Sequence, residues 1–406
     1  MPTFDIVIIG SGIVGAATAL MLAKHASLNI AVLDVQSISP HWQSEKQDHR
    51  VSAVSLASKR IFQSINGWEK MSAKRISPYK HMHVWQENGS GKINFDCAEV
   101  GEPALGYIIE DQVMRTSLYE TFSDYPNIHF IHPIKLISLQ EKADGVELAT
   151  ADQQIFSAKL VIAADGANSW VRDQAAIQLK TWDYEHTAIV ATVKTSLPHQ
   201  RTAWQRFLTT GPLAFLPLRD EHTSSIVWST TPSLADELLK LNDAEFQKKL
   251  TLSFAHQLGD VTEVGARYHF PLRMRHAKNY VKSHVALIGD AAHTIHPLAG
   301  QGMNLGMLDA ACLAEVISDA IKKNRDYSKM ATLRRYERWR KGDNTAMLAM
   351  VETLKYLFAN EKPALSTLRN VGLNFTNQLP LIKNFFANYA VGNRGDLPHR
   401  ASLFSV

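Results

Sequence analysis

Cysteine is nearly absent. Cys97 and Cys312 are the only two in 406 residues. They lie far apart and in no CxxC spacing, which excludes a disulfide-stapled fold, a cysteine-based zinc site and a redox-active dithiol, and fits a reducing cytoplasm. Charge of one sign is also scarce: 43 basic against 39 acidic residues leave a formal +4. That balance gives no reason to expect nucleic acid and supports only a weak preference for anionic partners. The one long apolar run, Ile6 to Ala23, "IVIIGSGIVGAATALMLA", has Asp5 and no Lys or Arg in front of it and three glycines inside it. It therefore reads neither as a signal peptide nor as a membrane span. No repeat or low-complexity tract marks a domain boundary, and no second GxGxxG offers a separate nicotinamide-nucleotide domain.

With 45% hydrophobic residues the chain can bury a large core. It opens as a βαβ unit: an apolar strand from Phe4 to Ile9, "GSGIVG", a helical stretch to about His25, then a strand from Asn29 to Leu33 ending at Asp34. In that context the glycines have separate tasks. Gly10 allows the tight turn, Gly12 lets a pyrophosphate approach the backbone, and Gly15 permits close helix packing. Asp34 would accept hydrogen bonds from ribose hydroxyls. Two further stretches share the strand-then-turn design. "KLVIAADGANSWVR" runs from Leu160 to Ala164 into Asp165-Gly166 and a short helix. "HVALIGDAAHTIHPLAGQGMNLGMLDAACLAEVI" runs from Val285 to Ile288 into Gly289-Asp290, a loop, and a helix from about Met303 with Leu305, Leu308, Cys312 and Val316 as its apolar stripe. Between them, from about 180 to 275, alternating β-branched runs predict an antiparallel sheet. After 325 the pattern is mostly helical.

One dinucleotide fingerprint at the start, with the last strand of the same fold returning far downstream, implies a large cofactor held by both ends of the chain. FAD suits this better than NAD, because a glycine-rich helix start offers amides and a positive dipole end to the flavin edge that gains charge on reduction. His293 and His296 in "HTIHP" have no carboxylate at ligand-like spacing, so no metal is expected. His81 and His83 of "HMHVW" read as residues on one face of a strand.

"GSGIVG", "ADGANSWVR" and "GDAAHTIHPLAGQGMNLG" together resemble the three motifs of the FAD-dependent aromatic hydroxylases, the single-component class A flavoprotein monooxygenases. "HPLAGQGMNLGMLDA" is similar to the signature of the ubiquinone-biosynthesis hydroxylases among them, and the likeness extends through "RVSAVSLAS", "LGYIIEDQVMR" and "FLPL" to "LPLIKNFFANYAVG". The resemblance implies an α/β fold. Its Rossmann-like FAD-binding domain, of the p-hydroxybenzoate hydroxylase type, would span 1–75, 100–180 and 276–325. An inserted antiparallel substrate sheet would take 76–99 and 181–275, and a C-terminal helical region 326–406.

The same resemblance implies non-covalent FAD, with NAD(P)H and O2 as co-substrates, and hydroxylation of a polyprenylphenol ring in ubiquinone biosynthesis. "DGANSWVR", "WDYEHTAIVAT" and "RRYERWRK" favour C5. Sister enzymes acting at C6 or C1, or a non-catalytic prenyl-lipid-binding flavoprotein, are the alternatives. By this likeness Arg50 contacts the cofactor near ribose and pyrophosphate, with Gln112 and Arg115 as further pyrophosphate contacts. Asp165 supports FAD and the approach of NADPH, and Asp290 holds ribitol and ribose hydroxyls. Pro297, Gly300, Gln301, Gly302, Met303 and Asn304 line the flavin edge, with no base assigned. Asp34 stands where Glu is more usual. Trp204, Phe207, Phe215 and Trp228 are candidates to roof the substrate.

With no membrane span, the enzyme is expected in the cytoplasm as a homo-oligomer, peripheral to the inner face of the cytoplasmic membrane, and in contact with the membrane surface or other quinone-pathway proteins. The helical face of Ile382, Phe385, Phe386 and Tyr389, with Lys383 off it, is expected either to make that contact or to pack on the domain or a second subunit. "RRYERWRK" reads as a solvated charged face.

Overall fold

The structure is a computed structural model that describes residues 2–39, 42, 48–88, 91–294, 302–359, 391–393 and 395–402. Pro297, Gly300, Gln301 and His296, and the face of Ile382, Lys383, Phe385, Phe386 and Tyr389, lie outside the described residues.

The first strand, Thr3–Ile9, is almost wholly buried, as an inner strand of a parallel sheet with both faces covered must be. It pairs in parallel with Ile30–Leu33 on one side and with Ile155–Ala163 on the other. Ile128–Ile131 extends the sheet beyond the former and Val285–Leu287 beyond the latter, again in parallel. The chain therefore builds outward from its first strand in one direction and then returns to the opposite side. That reversal is where open α/β sheets bind ligands, in the crevice beyond the carboxyl ends of the strands. Register brings the three sequence motifs to this crevice: Ile9 pairs with Ala163, and Ala163 with Leu287. "GSGIVG", "ADGANS" and "GDAAH" thus leave three adjacent strands at the same level. The helix Ile13–Ala23 packs beside the helices Asp111–Phe122 and Gly302–Lys322.

A second, nine-stranded sheet is drawn from residues 81–96, 179–230, 261–277 and 293–294. All its pairings are antiparallel except that of Thr202–Leu208 with His81–Gln86. His81 and His83 do share one face of that last strand, as its alternation predicted. The helices Pro232–Lys240 and Asp243–Ser253 cover one face of the sheet and close a separate core around Phe246 and Phe254. Its other face meets the start of the helix Gly302–Lys322 through Ala188, Leu272, Met274 and Leu305, joined by Met347 and Leu348 of the helix Met330–Ala359. A three-stranded antiparallel sheet, Val51–Val54, Gly106–Glu110 and Ser77–Tyr79, completes the architecture.

Candidate active site

The glycine-rich turn shows why each glycine is there. Gly10 has φ +98°, and a Cβ on it would stand 2.4 Å from the Ala164 carbonyl oxygen. A Cβ on Gly15 would lie 2.0 Å from the Gly10 oxygen and 3.0 Å from the Ala164 Cβ, so the helix can seat against the strand end only without one. Gly12 is the opposite case: exposed, with nothing within 4 Å of its would-be Cβ. That open space over a helix start, where backbone amides lack intrahelical partners, is one into which a phosphate would fit.

Asp34 is committed locally. Its Oδ2 accepts from the Ser11 amide at 2.8 Å and the Ser11 hydroxyl at 2.6 Å, and its Oδ1 from the Gln36 amide at 2.9 Å. The carboxylate therefore holds the turn itself, and any ribose contact would add to or displace the Ser11 hydroxyl. Tyr119 braces the same turn from the helix Asp111–Phe122, donating to the Ser11 carbonyl at 2.7 Å.

Beside this turn lies a cleft of about 740 Å³. Gln36, Asp48, Gln112 and Arg115 line one side, and Lys194, Glu263 and Tyr268 of the second sheet the other. Asp48, which sequence reasoning missed, assembles this corner: one carboxylate oxygen accepts the Arg50 amide at 3.0 Å and the other the Gln112 amide at 3.1 Å. The Arg50 side chain is 75% exposed and 3.8 Å from Asp111, so its guanidinium is free to meet an anionic group. Burial raises the Asp111 carboxyl above the usual carboxylate range, with Arg50 and the Ser52 hydroxyl opposing.

The two acidic motifs are tied to each other. Arg172, the last residue of "ADGANSWVR" and 4% exposed, donates to the Ala167 carbonyl and, at 3.1 Å, to the Ala291 carbonyl beside Asp290. From the second sheet Arg275 donates to the Ala167 carbonyl and to Asn168. Neither arginine was singled out from sequence, although Arg172 stood inside a quoted motif. Asp165 uses Oδ2 for the Val171 amide, while its buried Oδ1 has no hydrogen-bond partner among the described residues. Burial raises its carboxyl, and bonds from Ser169 and Val171 oppose this. Asp290 is open at its surface but hemmed in by protein. That burial raises its carboxyl, against the pull of His293, Arg50 and Arg275.

Gly302 and Met303 form the first turn of their helix, whose amides have no intrahelical partner. The Asn304 side chain does not take part in the expected way. It is 3% exposed and bound to Ala53, Ser55 and Ser58, so it ties the helix to the segment after Arg50.

The proposed aromatic roof needs correction. Register puts Trp204 opposite Phe215, Phe215 opposite Ile226, and Trp228 opposite Leu213, all on the face covered by the helices between 232 and 253. Phe215 stacks on Phe254 at 4.0 Å, and both Phe215 and Trp228 are 1% exposed. Phe215 and Trp228 are core, and the partly buried Trp204 packs against it. Phe207 pairs with Pro212 on the opposite face, the one shared with Ala188 and directed at Leu305. Alternation alone predicted the strands but could not say which face the helices would cover.

"RRYERWRK" is corrected as well. Tyr336 and Arg340 are almost fully buried, and Glu337 accepts the Tyr280 amide at 2.7 Å, so one face of this run points inward. His293 has a carboxylate after all, Asp309 at 2.5 Å, supplied by the helix that follows rather than by the local motif. Among the described residues no cluster fit to hold a metal ion is present.

Open space at Gly12, a buried acceptor on Asp165 with no donor among the described residues, an accessible carboxyl on Asp290 and an exposed guanidinium on Arg50 fit a dinucleotide laid across the three strand ends. Comparison with known proteins agrees. The FAD binding domain family matches residues 3–349. The 3-demethoxyubiquinol 3-hydroxylase of Escherichia coli (strain K12) is 36% identical over 96% of this chain and 98% of its own. The ubiquinone biosynthesis monooxygenase COQ6, mitochondrial, of Xenopus tropicalis is 34% identical over 95% of this chain and 93% of its own. In fold, p-nitrophenol 4-monooxygenase PnpA from Pseudomonas putida DLL-E4 superposes with a TM-score of 0.78 at 19% identity, covering 98% of this chain and all of that one. When bound, FAD supplies the redox chemistry, accepting a hydride from NAD(P)H and activating O2; the protein supplies placement and dryness. Sequence motifs, strand-end geometry and near full-length relatives converge, and the chain belongs to the FAD-dependent monooxygenases of the ubiquinone-biosynthesis hydroxylase family.

Proposed function

We propose that the protein hydroxylates the aromatic ring of a polyprenylphenol in ubiquinone biosynthesis, with NAD(P)H and O2 as co-substrates. The observation that carries this reading is the set of relatives named for that pathway, alike over nearly the whole chain. The ring would lie between the first turn of the helix Gly302–Lys322 and the face of the second sheet that carries Phe207, Gln205 and Val227. On the motif likeness described above, the position is C5. A second reading, a sister position on the same ring, is favoured by the 36% identity to a protein named a demethoxyubiquinol 3-hydroxylase.

The three-part division of the chain belongs to this proposal, with both ends holding FAD, the second sheet holding substrate and the C-terminal helices contributing access. So do a homo-oligomeric state and a peripheral place at the cytoplasmic membrane. Among the described residues no helix is long and apolar enough to cross a membrane, and a polyprenyl tail has to be met at a lipid surface or handed over by a partner. Complementation of three bacterial strains, each lacking one ring hydroxylase, tests the reading. Rescue of the C5-deficient strain alone supports C5, rescue of one of the others transfers the assignment to that position, and rescue of none refutes the pathway.

A further inference from the structure

One buried charged cluster is not used by anything described so far. Asp309 lies on the helix Gly302–Lys322, two turns beyond the flavin edge, and is fully buried. Its Oδ2 accepts from two donors, the Gly289 amide at 3.2 Å and the His293 Nε2 at 2.5 Å. Those two residues stand on either side of Asp290, so a single carboxylate oxygen brackets the GD motif. The other oxygen, Oδ1, accepts from Arg340 Nε at 2.9 Å and from Asn344 at 3.1 Å, both on the helix Met330–Ala359. Arg340 is 1% exposed and is held further by Asn344 and by the half-exposed Asp343. Burial works against the charge of Asp309, but His293 and Arg340 outweigh it and keep the carboxyl below the usual range. The segment between the brackets has no slack. Ala291 is held by Arg172, Ala292 accepts the Ala277 amide at 2.8 Å, and His293 pairs with His276 at the edge of the second sheet.

A buried ion pair of this kind is poor evidence for stability, because well-packed apolar side chains often serve as well. Its use is better sought in what it orients. We propose that Asp309, locked by Arg340, is a positioning residue for the cofactor: it fixes the Gly289–His293 segment so that the Asp290 carboxylate is preset for FAD, and so makes the helix Met330–Ala359 part of the cofactor site.

The test is FAD titration of apo protein, followed by protein-fluorescence quenching, with the visible circular dichroism of bound flavin as a second readout. His293→Leu keeps the Asp309–Arg340 pair but removes one bracket, and should weaken FAD binding roughly tenfold, the size of one lost hydrogen bond to a charged group. His293→Gln, whose amide can still donate to Asp309, should regain most of that affinity. Phe246→Ala, in the separate core beneath the second sheet, should lower apo stability without moving FAD affinity. Wild-type affinity and flavin dichroism in His293→Leu would overturn the proposal, and so would failure of His293→Gln to improve on it. Should His293→Leu fail to fold, Asp309→Leu/Arg340→Met removes the bracket without stranding a charge. Weakened FAD binding in that folded double variant supports positioning, and unchanged binding overturns it.

Discussion

Two glycines three residues apart should fail in opposite ways when replaced by alanine. At Gly12 the new methyl would meet nothing within 4 Å, and the backbone, at φ −55° and ψ 176°, is one that alanine adopts freely. By lowering the entropy of the unfolded chain, Gly12→Ala should leave apo stability unchanged or raise it by up to about 1 kcal/mol. The space the methyl fills is the phosphate cradle, so FAD affinity should fall at least tenfold. At Gly15 the methyl would stand 2.0 Å from the Gly10 oxygen, more than an ångström inside ordinary contact, and the opposing atom is backbone. Gly10 cannot retreat, because its own flank is pressed against Ala164 and Asp165. Gly15→Ala should therefore cost about 1–3 kcal/mol of apo stability, the usual range for overpacking, with weaker FAD binding as a consequence. Urea unfolding of the apo proteins together with FAD titration separates the two effects. Wild-type FAD affinity in Gly12→Ala would refute the cradle, and an apo Gly15→Ala protein as stable as wild type would refute the packing argument.

Asp290→Ala should purify largely without flavin, and full occupancy by absorbance would remove Asp290 from the cofactor site. Phe215→Ala should cost about 3–5 kcal/mol in denaturant unfolding, as expected for a buried aromatic. Phe207→Ala, on the other face of the sheet, should cost far less and act on KM for the aromatic substrate, and the reverse pattern would mean the face assignment is wrong. Burial, with His293 and Lys341 adding to it, lowers His276 from 6.5 to about 4. The unfolded chain therefore takes up its proton first as the solution is acidified, so stability is lost from about pH 6.5 downward towards 4. His276→Gln should flatten that part of the stability profile, and an unchanged acid limb would show that another group causes it.

Much of this site was legible because local rules and the global fold coincide there. A strand that runs into a glycine and an acidic residue is readable at Ile9, Ala163 and Leu287 alike, and parallel pairing of those strands does the rest. What could not be read is which partners tertiary packing brings in. Asp48 sits in a polar loop with nothing to mark it, yet it caps the amides of both Arg50 and Gln112. The two faces of the second sheet were indistinguishable by alternation, since aromatic residues occur on both and only the placement of the helices between 232 and 253 decides which face is core.

The run "RRYERWRK" shows most clearly why a charged stretch resists reading in isolation. Burying an arginine costs several kcal/mol unless a carboxylate with good geometry meets it, so the run by itself favours a solvated face. The fold supplies the missing partner from another helix: Asp309, whose side chain is itself unreadable as long as it is seen only as the end of a flavin signature. Each residue makes the other's burial tolerable, and neither is informative without it. Arg340→Met alone should on this argument cost about 3–5 kcal/mol, because Asp309 is left charged and buried, whereas Asp309→Leu/Arg340→Met should restore most of that loss. Denaturant unfolding of the apo proteins measures it. If the double variant is no more stable than Arg340→Met, the two charges are not each other's compensation and the buried network has to be rebuilt around His293, Asn344 and Tyr280, polar groups that remain beside them.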